Sequence, residues 1–267
     1  MKFLFKNEVV DYDFFKSNKQ IAFSKQGEEN QFDYDFFNNK NNDTILFLHG
    51  WGGNKFSFSQ TINLLKNQFN ILTITMPTIS PTTTVWNMFD YIQLIENILS
   101  IHCIENPIVV CHSFGFRVAM LLNKKITFSK IIVTGGAGIK KENIFLKTDK
   151  NNNKILLKHE NFKGYFKKIA SKDYVNLSEI NKETFKNVIN LNLKFASLFN
   201  CPMLLFWGLK DKDTPLWIAK TLKKRNKSKL ITTKSDHFAY LKDHSRFNRE
   251  TLKFIKNSNY FVKNGNF

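Results

Sequence analysis

Ile108-Val109-Val110-Cys111-His112-Ser113-Phe114-Gly115 is the stretch on which the reading of this chain turns. Residues 107–111 form a short, continuous apolar run, the pattern of a strand buried on both faces. Residues 116–122 have helical periodicity. Ser113 therefore falls on a tight strand-to-helix turn, where its hydroxyl would stand clear of the sheet at the positive end of a helix dipole. The residues two before and two after such a serine must be small, or strand and helix clash. Gly115 meets this condition fully and Cys111 approximately. A lone Ser-x-Gly is weak, and an ordinary β–α turn competes with it. Its position directly after an apolar strand gives it weight.

The same kind of apolar run recurs on either side, at residues 44–48, 71–75, 130–134, 203–207 and 230–233. Helical patterns lie between them, at residues 89–99, 215–222 and 247–255. Strands alternating with helices imply an α/β chain with a mostly parallel sheet covered on both faces. Residues 1–40 alternate aromatic and polar positions, as in Val9-Val10-Asp11-Tyr12-Asp13-Phe14-Phe15 and Ile21-Ala22-Phe23. They read as two or three antiparallel edge strands, for about eight strands in all. One interval breaks the rhythm. Residues 140–200 are polar, Lys-rich and helical in period, with Phe185, Val188, Ile189 and Leu193 on one face. The expected organisation is a core of residues 1–139 and 201–267, with 140–200 a helical cap over the sheet.

Three further segments carry chemistry. His49-Gly50-Trp51-Gly52-Gly53 follows the first buried strand, and its glycines let the backbone turn N–H groups toward a neighbouring site. An acyl-transfer centre needs two such donors for the oxyanion of a tetrahedral intermediate. The backbone N–H groups of Trp51 and Phe114 are the candidates, with His49 a structural support for the loop. Past another strand, Asp211 lies on the same sheet edge as Ser113. Asp213 is the competing acid, although a helix cap before Pro215 suits it better. No carboxylate follows the strand at 130–134. After the last strand comes Ser235-Asp236-His237-Phe238, and His237 is the one histidine of six in such a loop. Ser113, Asp211 and His237 thus stand in an order familiar for a nucleophile, an orienting acid and a general base, each at the carboxyl end of its own strand.

The composition bounds the rest. With 267 residues and 42% apolar content, the chain is long enough for one α/β domain with a large core, or at most two small domains. Its 40 basic against 22 acidic residues give a net charge of +18, a surplus that can draw in acidic partners. The lysines are scattered, however, and no nucleic-acid-binding motif appears. Three cysteines without paired spacing argue against a disulfide framework and fit a reducing cytoplasm. The apolar run near the N-terminus is too short for a signal peptide, and no membrane span is expected. Dispersed histidines and cysteines leave no metal constellation, and no cofactor is expected.

The segments at 49–53, 112–115, 207–215 and 237–241 together resemble the α/β-hydrolase superfamily, in particular bacterial esterase/lipase proteins. The resemblance spans roughly residues 44–258 and also touches Ser171-Lys172-Asp173-Tyr174 and Lys182-Glu183-Thr184-Phe185 as cap segments. It implies an α/β-hydrolase fold and a serine carboxylesterase with Ser113, Asp211 and His237 as its triad. A pocket for a small acyl ester would be walled by Trp51, Phe114, Phe162, Tyr165 and Phe166. It also allows a lipase, a thioesterase or an esterase acting on a carrier-bound methyl ester, and the net charge favours an anionic lipid surface or an acidic carrier protein as the platform. An amide or peptide hydrolase, and a low-turnover binding protein on the same fold, are competing readings. The chain departs from the family pattern in three places: Cys111 where glycine is usual, Phe116 where glycine often follows Gly115, and Met76-Pro77-Thr78-Ile79-Ser80 in place of a Gly-rich loop.

Overall fold

A computed structural model describes residues 2–6, 8–15, 43–79, 83–140, 143–148, 154–159 and 177–257. Strands β1 (Lys2–Phe5), β2 (Glu8–Phe15), β3 (Thr44–Leu48), β4 (Asn70–Ile74), β5 (Ile108–His112), β6 (Lys130–Thr134), β9 (Met203–Gly208) and β10 (Ser228–Thr233) form one eight-stranded sheet. Its order is β1-β2-β4-β3-β5-β6-β9-β10. All pairings from β4 to β10 are parallel, while β2 runs antiparallel to both β1 and β4. Each apolar run of the core therefore became a strand, and the alternating N-terminal segment became an antiparallel edge. Ile21-Ala22-Phe23 lies outside the described residues.

The continuous apolar runs are explained by the layers. Along β3, β5, β6 and β9, successive residues bury into two different clusters. Leu46, Leu48, Val109, Cys111, Ile131, Val133, Leu205 and Trp207 face one side. There they meet helices α2 (Met88–Ile101), α3 (Phe114–Leu122), α4 (Glu179–Ile189) and α5 (Leu216–Arg225). Ile45, Phe47, Val110, Ile132, Leu204 and Phe206 face the other, against α1 (Ser59–Leu65), α6 (Ala239–Lys242) and α7 (His244–Lys256). A strand clothed on both faces has no polar positions to spare, and each fully buried Leu, Ile or Phe contributes about 1.5–3 kcal/mol.

Residues 140–200 are not helical throughout. Asn143–Thr148 (β7) and Lys154–His159 (β8) form a separate antiparallel hairpin, whereas α4 covers Phe185, Val188 and Ile189 as the periodicity indicated. Apolar runs as short as Ile144-Phe145-Leu146 carry no period that separates strand from helix.

The sheet order also locates a topological switch point. From β3 the chain goes to β4 on one side, then crosses to β5 on the other. The carboxyl ends of β3 and β5 thus flank the point where the winding direction reverses, where α/β sheets open a ligand-binding cleft.

Candidate active site

Ser113 leaves β5 with φ 48° and ψ −108°, a left-handed conformation rare for any residue with a side chain. Such strain costs about 1–3 kcal/mol and persists only where neighbours impose it. They do so here. The Ser113 N–H donates to the Thr134 carbonyl at 3.2 Å, and the Ser113 carbonyl accepts from Phe116 and Ala137 N–H, each at 3.1 Å. Gly115 supplies the close approach of α3 to β3: a Cβ there would overlap the Leu48 carbonyl oxygen. Cys111 tolerates its position because its side chain is fully buried on the α3 side of the sheet. Phe116 is likewise buried, stacked on Phe199 at 5.9 Å.

The loop after β3 passes directly beside this turn. A Cβ on Gly50 would lie 2.7 Å from the His112 ring and 3.4 Å from Ser113 Cβ. Among the described residues, neither the Trp51 N–H nor the Phe114 N–H has a hydrogen-bond acceptor in the protein. His49 does support the loop. Its Nδ1–H donates to the Gly50 carbonyl at 2.7 Å, and its Nε2 accepts from Met76 N–H at 2.8 Å. Burial pushes its pKa down to about 4, so it stays neutral in that bridge. The segment from Met76 braces the same loop, with Thr78 Oγ1 accepting from Gly52 N–H at 3.2 Å and the Pro77 carbonyl accepting from Tyr91.

Asp211 and His237 come together at the ends of β9 and β10. Their loops are tied by Leu209 N–H to the Thr233 carbonyl (2.8 Å) and Lys210 N–H to the Ser235 carbonyl (2.9 Å). His237 Nδ1 donates to Asp211 Oδ2 at 3.0 Å, which leaves Nε2 as the outward nitrogen. Asp211 Oδ1 accepts from the N–H groups of Asp213 (3.0 Å) and Thr214 (2.8 Å), and Oδ2 accepts from Thr214 Oγ1 at 2.7 Å. Burial alone would raise the Asp211 pKa. The hydrogen bonds from His237 and Thr214, with the nearby imidazole charge, outweigh it and hold the carboxyl below its ordinary value.

The His237 ring lies over Gly135, the residue after β6, and 4.6 Å from the ring of His112, the neighbour of Ser113. Ser113 and His237 thus share one rim, although no hydrogen bond joins their side chains among the described residues. His112 is buried, donates from Nδ1 to the Thr134 carbonyl at 2.9 Å, and is pushed down to about 3 by burial and by the facing His237.

Asp213 neither bonds the His237 ring nor caps a helix. Its side chain is exposed, α5 begins after Pro215, and no side chain caps that end. Pro215, with φ −58° and ψ 152°, occupies the cap position itself, two residues beyond Asp213. Atoms of Asp211, Asp213 and His237 lie within 4.8 Å of one another. Both Asp211 oxygens and His237 Nδ1 are already engaged in hydrogen bonds, so no metal is assigned there.

Trp51 and Phe114 meet edge to face at 5.5 Å, and Phe185 of α4 packs on Trp51 at 4.9 Å. Phe162, Tyr165 and Phe166 lie outside the described residues, as does the segment at 171–174. Sequence reasoning gave His112 and Thr214 no role, although both stand in the segments that carry the resemblance. The first carried a signal in its adjacency to Ser113, the second in its spacing of three from Asp211.

No family model matches the chain. It is 22% identical over 225 residues to the uncharacterized hydrolase YugF of Bacillus subtilis, covering 71% of this chain and 80% of that protein. Among solved structures it is similar to an esterase from Exiguobacterium antarcticum, with a TM-score of 0.69 and 12% identity over 96% of this chain and 99% of that one. It is also similar to MGS-MChE2, an alpha/beta hydrolase from a lagoon-sediment metagenome, with a TM-score of 0.63 and 17% identity over 92% and 94% of the two chains. The chain has the α/β-hydrolase fold.

Proposed function

We propose that this chain is a serine hydrolase that cleaves carboxylic esters through an acyl-enzyme on Ser113. His237 Nε2 takes the Ser113 proton as the serine oxygen attacks the ester carbonyl. Asp211 holds the Nδ1–H tautomer and stabilises the imidazolium that forms. The Trp51 and Phe114 N–H groups receive the oxyanion. His237 returns the proton to the leaving alkoxide, which departs as the alcohol. It then activates water to hydrolyse the acyl-enzyme.

The observation that carries this reading is the strained Ser113 turn, set on the same sheet rim as a buried carboxylate–imidazole pair with a 3.0 Å bond. A binding protein has no use for that strain, and the pair already fixes the tautomer a base requires. Residues 140–200 are read as the cap, because Phe185 reaches Trp51. The platform proposed for the net charge of +18 is an acidic carrier or an anionic lipid surface.

A panel of acyl esters of graded chain length, assayed with the wild type and Ser113→Ala, tests the reaction. Turnover of at least one ester, falling about 10³-fold or more in the variant, is expected. No turnover across the panel, or turnover that survives the substitution, refutes it. Activity on carrier-bound or vesicle-bound acyl groups that falls steeply with salt, beside a flat response on a neutral ester, supports the charged platform.

A further inference from the structure

Thr214 stands where the orienting pair is fixed. Its side chain is buried, and its hydroxyl donates to Asp211 Oδ2 at 2.7 Å, the oxygen that also accepts His237 Nδ1–H at 3.0 Å. The same hydroxyl oxygen lies 3.2 Å from His237 Nδ1. The donor and acceptor roles close into a ring: the imidazole N–H is shared between Asp211 Oδ2 and Thr214 Oγ1, and Thr214 gives its own proton to Oδ2.

Thr214 cannot turn away from this ring. Its N–H donates to Asp211 Oδ1 at 2.8 Å, and its carbonyl accepts from the indole N–H of the fully buried Trp207 at 2.7 Å. One residue therefore grips both carboxylate oxygens, through its backbone and its side chain. β-Branching restricts the side chain further.

We infer that Thr214 is a positioning residue: its hydroxyl fixes the rotation of the Asp211 carboxylate and shares its charge, and so sets both the orientation and the proton affinity of His237. This rests on the reading of Ser113, His237 and Asp211 as a triad. Four other groups bear on His237. Asp211 faces it from the β9 end, and Asp213 from the same loop. His112 faces it from the β5 end, with His49 beyond it at the β3 end. Burial keeps both of these histidines neutral in the working range. With the hydroxyl gone, Asp211 Oδ2 would keep its whole charge for His237 and hold the imidazolium more firmly. The base would then release its proton at higher pH, and the carboxylate would be freer to rotate.

The test is Thr214→Val beside Thr214→Ser, with the pH profile of kcat/KM on an ester that the wild type turns over. Thr214→Val is expected to lower kcat about tenfold with KM little changed, since the hydroxyl does not touch substrate. Its acid limb should move up by about half a pH unit or more. Thr214→Ser keeps the hydroxyl and should restore both. A valine protein with an unshifted limb and unchanged kcat overturns the inference, and so does a serine protein as impaired as the valine one. If the valine protein does not fold, Thr214→Ala removes the same hydroxyl and carries the same expectation. Failure of the triad itself reads out separately, as activity that survives Ser113→Ala.

Discussion

Ser113 occupies a backbone conformation that few side chains tolerate, and the neighbours that hold it there are as specific as the serine. Gly115 is the most exacting of them, because α3 crosses β3 at the Leu48 carbonyl with no room for a methyl group. Gly115→Ala must therefore move the helix or the strand. It should destabilise the fold by about 3 kcal/mol or more, read as a fall in the denaturant midpoint at constant slope. An unchanged midpoint would mean the helix can withdraw without cost. At this scale the sequence was legible where geometry is local. The Ser113 turn, the glycine after it and the support role of His49 follow from short-range sterics and from the strand preceding each. The Thr214 hydroxyl was not legible, since its second partner lies 23 residues on and only tertiary convergence brings it near. The reading of Asp213 as a helix cap failed because Pro215 itself occupies the cap position and no side chain bonds that end of the helix.

At the scale of elements, α4 is the piece that joins the residues after β6 to the core. Arg117 of α3, itself buried, donates from Nη1 to the Val188 and Leu191 carbonyls at 3.0 Å each, and from Nη2 to the Ile189 carbonyl at 3.5 Å. It thereby satisfies carbonyls at the carboxyl end of α4 that have no partner within the helix. Trp86 N–H donates to Thr184 Oγ1 at 2.9 Å and holds the other side. Arg117→Met fills similar space but leaves those carbonyls buried and unbonded, at a cost of about 2–4 kcal/mol. Hydrogen exchange should show the amides of α4 opening faster while those of β5 and β6 stay protected. Equal protection in both regions would show that α4 does not depend on the guanidinium. The helical period of Phe185, Val188 and Ile189 made α4 readable from sequence, although Leu193, expected on the same face, lies beyond its end. The β7–β8 hairpin was not, because its apolar runs are too short to carry a period.

Across the whole molecule, two neutral histidines buried under one rim make stability sensitive to acid. Unfolded, His49 and His112 have pKa values near 6.5, whereas folded they are pushed down to about 4 and about 3. Their contribution is complete above pH 6.5 and is lost as the pH falls through that window, because the unfolded chain binds protons that the folded one refuses. The contributions amount to about 3 kcal/mol for His49 and about 5 kcal/mol for His112. Asp211, held below its ordinary value, loses its contribution lower still, below about pH 4. Urea unfolding should give a free energy that drops by several kcal/mol between pH 7 and 4, and His49→Asn should remove about one proton from the uptake on unfolding. A stability that is flat over that range would contradict the buried neutral state of both rings. The core strands themselves were legible, since each strand clothed on both faces announces itself as an unbroken apolar run, but their order in the sheet was not. What the alternation of strands and helices does not reveal is the reversal of winding between β3 and β5.

The nucleophile can be tested without knowing the substrate. Treatment with a fluorophosphonate, followed by proteolysis and mass mapping, should find the adduct on the peptide containing Ser113, with none on Ser113→Ala and slowed labelling on His237→Ala. An adduct on another serine, or no adduct on a folded protein, would contradict the assignment of Ser113 as the attacking group.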